Sequence, residues 1–364
     1  MLSFELTEDQ QSLKEVLHRY AETDLRAQMR DTDETGQAPE GVLRKGWEMG
    51  VVPAGVDEAY GGFADAQPAL TAVIAYEELG WGDLALSLRL LTPTLLAYAV
   101  REFGTEDQKQ AYLPQVCNGG APGLTAALVE PVYHFDAANL QTTAVLDGED
   151  YVLNGVKAYV PLADAAQTVL VYANEGGATQ GFLVERNTPG LAVSAAEKAM
   201  GLKGLPLFRV ELTDCRVQKK CRLGEEAGIE IGKLQARGHV AMSALAVGMA
   251  RAALDYSMAY AKERVAFGEP IASRQSIAFM LAEMAIEVDA TRLMTWEAAW
   301  KLDKGIDATE DAFVTREYAN DMVMEVADRA LQILGGHGYV RDHPVELWFR
   351  NARAFANLEA FALV

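Results

Sequence analysis

The sequence predicts an α+β protein in three consecutive parts: helical over 1–125, β over 126–230 and helical again over 231–364. Three observations carry this reading. Apolar residues recur at helical spacing at both ends. In the middle they give way to short β-branched runs at Thr142–Leu146, Tyr151–Asn154, Thr168–Tyr172, Gly181–Val184 and Phe208–Leu212. Turn dipeptides separate those runs, at Asp147-Gly148, Asn154-Gly155, Gly176-Gly177 and Pro189-Gly190. A chain of 364 residues can bury a large core and normally divides into two or three domains.

In the first part, Thr7 reads as a helix cap with Glu8, Asp9 and Gln10 in the first turn. Leu13, Val16, Leu17 and Tyr20 follow at helical spacing. Gly61-Gly62 closes a loop, a helical run passes through Tyr76–Leu79, and Thr105 caps another helix. The middle part predicts a small β-barrel of roughly a hundred residues. The third part predicts a helical bundle. Its stretch from Val240 to Ala261 is rich in Ala, Gly and Ser, which permits close helix packing, and long helices follow over Arg274–Lys304 and about Thr309–Leu334.

The formal net charge of −20 argues against nucleic acid or an anionic membrane surface as a partner. It leaves room for an anionic small ligand in a local cationic pocket. No apolar run reaches membrane-spanning length, and residues 1–8 lack the basic start and apolar core of a signal peptide, so a cytoplasmic location is expected. Cys117, Cys215 and Cys221 are scattered, as befits reduced thiols, and no zinc spacing occurs. His337 and His343 lie in a turn-like segment and read as surface or packing residues.

The richest stretch is 325–359. Val326, Ala330, Ile333 and Leu334 share a helix face, and Gly335 and Gly336 end that helix. Two glycines leave bare backbone against which another molecule can lie, and Gln332 sits one turn earlier. A nucleotide laid flat suits this surface; a plain helix cap explains it equally.

The run Gln332-Ile333-Leu334-Gly335-Gly336-His337-Gly338-Tyr339, then Pro344-Val345-Glu346, Arg350-Asn351-Ala352-Arg353 and Glu359, resembles the C-terminal domain of acyl-CoA dehydrogenases. Tyr260–Ile271, containing Arg264, Phe267 and Gly268, is similar to the family's arginine-phenylalanine-glycine motif. Tyr60-Gly61-Gly62 and Phe103–Lys109 match its N-terminal domain, Phe182–Gly190 and Leu223–Glu226 its middle one. The resemblance spans nearly the whole chain. It implies an acyl-CoA dehydrogenase-like fold: helical domain, β-barrel domain, four-helix bundle. It also implies FAD as cofactor and α,β-dehydrogenation of an acyl-CoA thioester. In that reaction a carboxylate takes the α-proton and the β-hydrogen leaves as hydride to the flavin, so the site must stabilise the enolate-like charge and desolvate the base.

By the same resemblance Glu359 occupies the position of the catalytic base, and the alternative family position on the preceding helix is Ala236, beside Arg237. A solvated carboxylate is the plain reading of Glu359. After Glu359 the family usually continues Gly-Thr, whereas Ala360-Phe361 stands here. The flavin-facing motifs depart as well. Val129 replaces a threonine whose hydroxyl bonds the flavin, His134 and Phe135 replace small residues, and Pro161 has no N–H to offer. The dinucleotide-facing residues survive: Arg264 for the pyrophosphate, Phe267 as platform, and Gln332, Gly335 and Gly336 toward the adenosine. In the family these serve the neighbouring subunit's FAD. A surface ion pair with Glu263 or Glu269 competes as the reading of Arg264. Three outcomes stay open: a subunit of a heteromer with a related FAD-binding chain, a self-sufficient FAD homodimer or homotetramer, and a flavin-free acyl-CoA binder. An electron-transfer flavoprotein is the expected electron acceptor of the first two.

Overall fold

The computed structural model describes residues 5–63, 68–118 and 123–364. The reading of the first four residues therefore lies outside the described part. Helix α1 (Glu8–Tyr20) opens with the expected cap: Thr7 Oγ1 accepts the Gln10 amide at 3.2 Å, and Gln10 accepts the Thr7 amide in return. Leu17 and Tyr20 are buried, but Val16 is exposed, because α1 turns only one narrow face inward. After a π-helical turn, Ala21–Leu25, come α2 (Arg26–Thr35), α3 (Glu40–Glu48), α4 (Pro68–Gly82), α5 (Leu84–Leu91), α6 (Thr94–Phe103) and α7 (Glu106–Cys117). Thr105 caps α7 with the same reciprocal box, through Gln108.

Seven strands form the middle sheet: β1 (Leu124–Ala127), β2 (Thr143–Asp147), β3 (Asp150–Pro161), β4 (Thr168–Glu175), β5 (Ala178–Glu185), β6 (Leu191–Val193) and β7 (Leu207–Gln218). β3 pairs antiparallel with β2 and β7, β4 pairs antiparallel with β5 and parallel with β1, and β6 lies on β7. The sheet curls: beyond β7, Arg222 bridges to Phe182 on β5, and the Leu223 amide donates to Gly181 O at 2.8 Å. That contact gives the sheet its barrel-like closure. Inside lie Leu153, Val169, Phe182 and Val210.

The C-terminal part is α8 (Ile231–Glu263), a hairpin of β8 (Val265–Ala266) and β9 (Glu269–Pro270), then α9 (Gln275–Asp303), α10 (Thr309–Ile333) and α11 (Val345–Phe355). These four helices make the expected bundle. Neither β6 nor α11 is announced by residue periodicity; both are short and held by their neighbours. Helices from both ends of the chain share one core, with Leu79, Leu96, Val247, Met322 and Trp348 in it. α4 and α8 meet closely: a Cβ added to Gly248 would stand 2.1 Å from Glu77 O, and one on Gly80 would stand 2.4 Å from Leu245 O. Buried carboxylates tie α4 to the bundle. Glu77 accepts from Arg292 Nε at 2.9 Å and Trp296 Nε1 at 2.7 Å, and Glu78 accepts from Arg251 Nη1 at 2.9 Å. α9 is less simply amphipathic than expected. Phe279, Ile286 and Leu293, seven residues apart, form an outward apolar stripe. No single helix among the described residues is long and apolar enough to cross a membrane.

Candidate active site

The sequence-predicted site residues fall at two places, one near each end of α8. At the first, α11 delivers Glu359. Its orientation is set by Arg350, which clasps Asp33 on α2 at 2.9 and 2.8 Å, bonds Glu346 at 2.9 Å and reaches Met200 O at 3.1 Å. Arg316 on α10 is buried and donates to Leu358 O at 2.7 Å, fixing the chain just before Glu359. The Glu359 side chain is 32% exposed, so it is not a solvated carboxylate. Its Oε1 stands 3.1 Å from His239 Nε2 and 3.5 Å from Gln235 Nε2. The His239 hydrogen bond, opposed by burial, holds the carboxyl below its ordinary range, and the Arg316 charge adds to the effect. Sequence reasoning missed His239 and Gln235. Their spacing of four puts both on one face of α8, but nothing in the sequence joins that face to a residue 120 positions later. Ala236 is buried, so the alternative position holds no base.

Beside Glu359 the sheet and α8 enclose a small cavity of about 30 Å³, room for about two waters. Val129, Tyr159 and Pro161 line it from the sheet, Gln235 from α8, and Ala360, Phe361 and Leu363 from the segment after Glu359. The backbone here is unusual: Tyr159 and Leu162 both have φ +53, and the β3–β7 ladder shifts register between Lys157 and Val160. The loop after Val129 is pinned by a buried pair, Lys157 Nζ to Glu130 Oε1 at 2.8 Å, with Glu130 also accepting the Gln141 and Thr142 amides. His134 lies on the surface, and Phe135 packs half-buried against the main core.

The second place is the far end of α8. Arg264 caps the helix and is exposed. The Glu263 or Glu269 pairing does not form: Glu269 bonds Arg274 at 3.0 Å, and Arg264 makes no ion pair among the described residues. Phe267 and Gly268 form a two-residue hairpin turn with φ +55 and +86. Phe267 stands 97% exposed, with the Arg274 guanidinium 5.8 Å from its ring centre. Gln332 is exposed and bonds Tyr339 Oη at 3.0 Å. Gly335 has φ +57, and a Cβ added to it or to Gly336 would meet nothing within 4 Å. Tyr260 joins the hairpin to this turn, 2.8 Å from His337 Nδ1. His337 stacks on His343, which takes Tyr256 Oη at 2.8 Å; both histidines are packing residues here.

The first end meets α8 at His239 and the second at Arg264. At 1.5 Å rise per residue, an unbroken helix sets them roughly 37 Å apart. The two places differ in how open they are. Open glycine backbone, a free guanidinium and an exposed ring suit a flavin dinucleotide at the Arg264 end. The cavity behind Val129 and Pro161 is of water size.

Three family models match in order: "Acyl-CoA dehydrogenase, N-terminal domain" over residues 7–120, "middle domain" over 125–215 and "C-terminal domain" over 234–359. A probable acyl-CoA dehydrogenase of Bacillus subtilis, YngJ, is 36% identical, covering 97% of this chain and 94% of its own. The CarC subunit of the caffeyl-CoA reductase–Etf complex of Acetobacterium woodii is 31% identical, covering 98% and 96%. The solved butyryl-CoA dehydrogenase of Megasphaera elsdenii superposes with a TM-score of 0.91 at 31% identity, covering 99% of this chain and 96% of that one.

Proposed function

The chain belongs to the acyl-CoA dehydrogenase family, an oxidoreductase family, and from that premise we propose that it works with FAD in the α,β-dehydrogenation of an acyl-CoA thioester as one subunit of a heteromer. Its partner is a related acyl-CoA dehydrogenase subunit that carries the flavin. One observation supports this reading: glycine backbone at Gly335 and Gly336, near the Arg264 end of α8, meets open space, while only a small cavity remains behind Val129 and Pro161. FAD supplies the redox chemistry when bound. This chain's part is to hold it. Arg264 places a cation at the pyrophosphate, where a charge-assisted bond is about twice as strong as a neutral one. Phe267 gives an apolar platform, and Gln332 with the Gly335-Gly336 backbone borders the adenosine. The apolar stripe Phe279, Ile286 and Leu293 supplies a surface for assembly. An electron-transfer flavoprotein is the proposed acceptor, in keeping with the CarC relative. The free cysteines suit a reducing cytoplasm.

A second reading, a self-sufficient homo-oligomer with Glu359 as base, is favoured by the intact contact of Glu359 with His239. The visible spectrum separates the two. Purified alone, the chain should carry FAD well below one per subunit and gain it with a related subunit. A full complement that survives gel filtration of the chain alone would overturn the heteromer.

A further inference from the structure

We propose that residues Ala360–Val364 are an internal occupant of this chain's own cleft, seated as a ligand is seated and excluding acyl-CoA from it. This rests on reading the space behind Val129, Tyr159 and Pro161 as the flavin and acyl side of the site.

The segment has no regular secondary structure, yet Phe361, Ala362, Leu363 and Val364 are each 0–3% exposed. Irregular chain normally stays at the surface, because its backbone polar groups need partners. Here the partners are side chains from three helices. The Leu363 amide donates to Thr94 Oγ1 on α6 at 3.0 Å. Tyr76 Oη on α4 donates to Leu363 O at 2.8 Å. Val364 O accepts from Arg237 Nη1 on α8 at 2.9 Å and from Arg101 Nη2 on α6 at 3.3 Å. Tyr76 and Thr94 are fully buried; Thr94 Oγ1 also donates to Leu91 O at 2.7 Å, so removing the segment costs Thr94 the bond it accepts and Tyr76 its carbonyl acceptor.

The helix is shaped for the segment as well. A Cβ added to Gly238 on α8 would stand 2.5 Å from Ala360 Cβ, so only glycine lets the chain lie there. One residue earlier Glu359 is tethered to His239, which fixes the segment's entry. What remains of the cleft is the cavity of about 30 Å³. Displacing the segment exposes Phe361, Leu363 and Val364 and breaks the bonds they share with Thr94, Tyr76, Arg237 and Arg101, so the seated state competes with an external acyl chain. The cleft is thus satisfied in cis, which explains how a chain can keep the fold without using its own site.

The test uses the full chain without flavin or partner. Hydrogen exchange at the Leu363 amide should be at least about a hundredfold slower than in an unstructured peptide. Leu363→Asp places a charge in the apolar seat and should release the segment. Calorimetric affinity for crotonyl-CoA should then rise at least roughly tenfold over wild type, because the competent state becomes populated. If Leu363→Asp loses its folded circular dichroism spectrum, Thr94→Val, which removes one acceptor with little change in volume, carries the same comparison. Unprotected Leu363 in wild type overturns the proposal, as does wild-type affinity equal to that of a released variant. Flavin content, which decides the heteromer reading, enters neither readout.

Discussion

The two ends of α8 carry the family's two kinds of site residue and treat them in opposite ways. At the His239 end every functional group is engaged. Glu359 is bonded to His239, Arg350 to Asp33 and Glu346, and residues 361–364 are buried beside the remaining cavity. At the Arg264 end the cation is free, Phe267 projects on a strained turn, and glycine backbone faces open space. A satisfied site is stable and inert. Exposed donors on a rigid helix end are satisfied by water and stay available to a ligand. The contrast teaches that this chain's usable chemistry lies in what it presents outward.

The largest expected effect lies at the closed end and concerns stability. Arg350→Ala leaves Asp33, 4% exposed, without its bidentate partner. Loss of one member of a buried pair costs about 3–5 kcal/mol. Denaturant unfolding should show that loss, and FAD uptake by the surviving folded assembly should not change. A stability close to wild type would mean that α11 is held by its apolar face alone.

Arg264→Ala should act at the open end only. Hydrogen bonds to charged groups contribute about 1.5–3 kcal/mol, so FAD should bind the assembly roughly 10- to 100-fold more weakly. Melting of the chain by itself should stay put. Unchanged flavin retention would show that the motif is structural and erase the contrast between the ends.

A smaller effect concerns pH. The Glu359 carboxyl is held below its ordinary value of 4.5, chiefly by the His239 hydrogen bond. A depressed folded pKa contributes stability that is complete above the unfolded value and lost as pH falls through the folded one. Thermal melts below about pH 4.5 should therefore decline less steeply in Glu359→Gln than in wild type. Asp33, Glu78 and Glu346 are lowered too, by arginine partners that outweigh their burial, so part of the decline should persist. Identical slopes would place no folding weight on the His239 contact.

The smallest expected effect is the sharpest. In the assembled complex, the proposed heteromer requires that Glu359→Gln leave acyl-CoA turnover near wild type, the working base then being the partner's. General base catalysis contributes about 10²–10⁴-fold. A loss of that size, with flavin content unchanged, would assign turnover to this chain's own cleft.

Local chemistry made much of this legible from sequence. The helix caps at Thr7 and Thr105 and the glycine stop at Gly335 are set by residues within a few positions of one another. The order helix, sheet, helix follows from the period of the apolar residues, and the small residues of α8 announced close helix packing, though not that α4 would be its partner. Substitutions at Val129 and Pro161 also told, residue by residue, which donors a flavin would miss. What the sequence could not decide was which distant groups would meet. His239 and Glu359 lie 120 residues apart, and Thr94 and Leu363 lie 269 apart. Their contacts arise only when α6, α8 and the segment after α11 close on one core. Such pairings depend on the summed packing of many side chains, and no single residue's propensity encodes them. Hence the open end was readable as a motif, while the closing of the cleft was settled only by the tertiary structure.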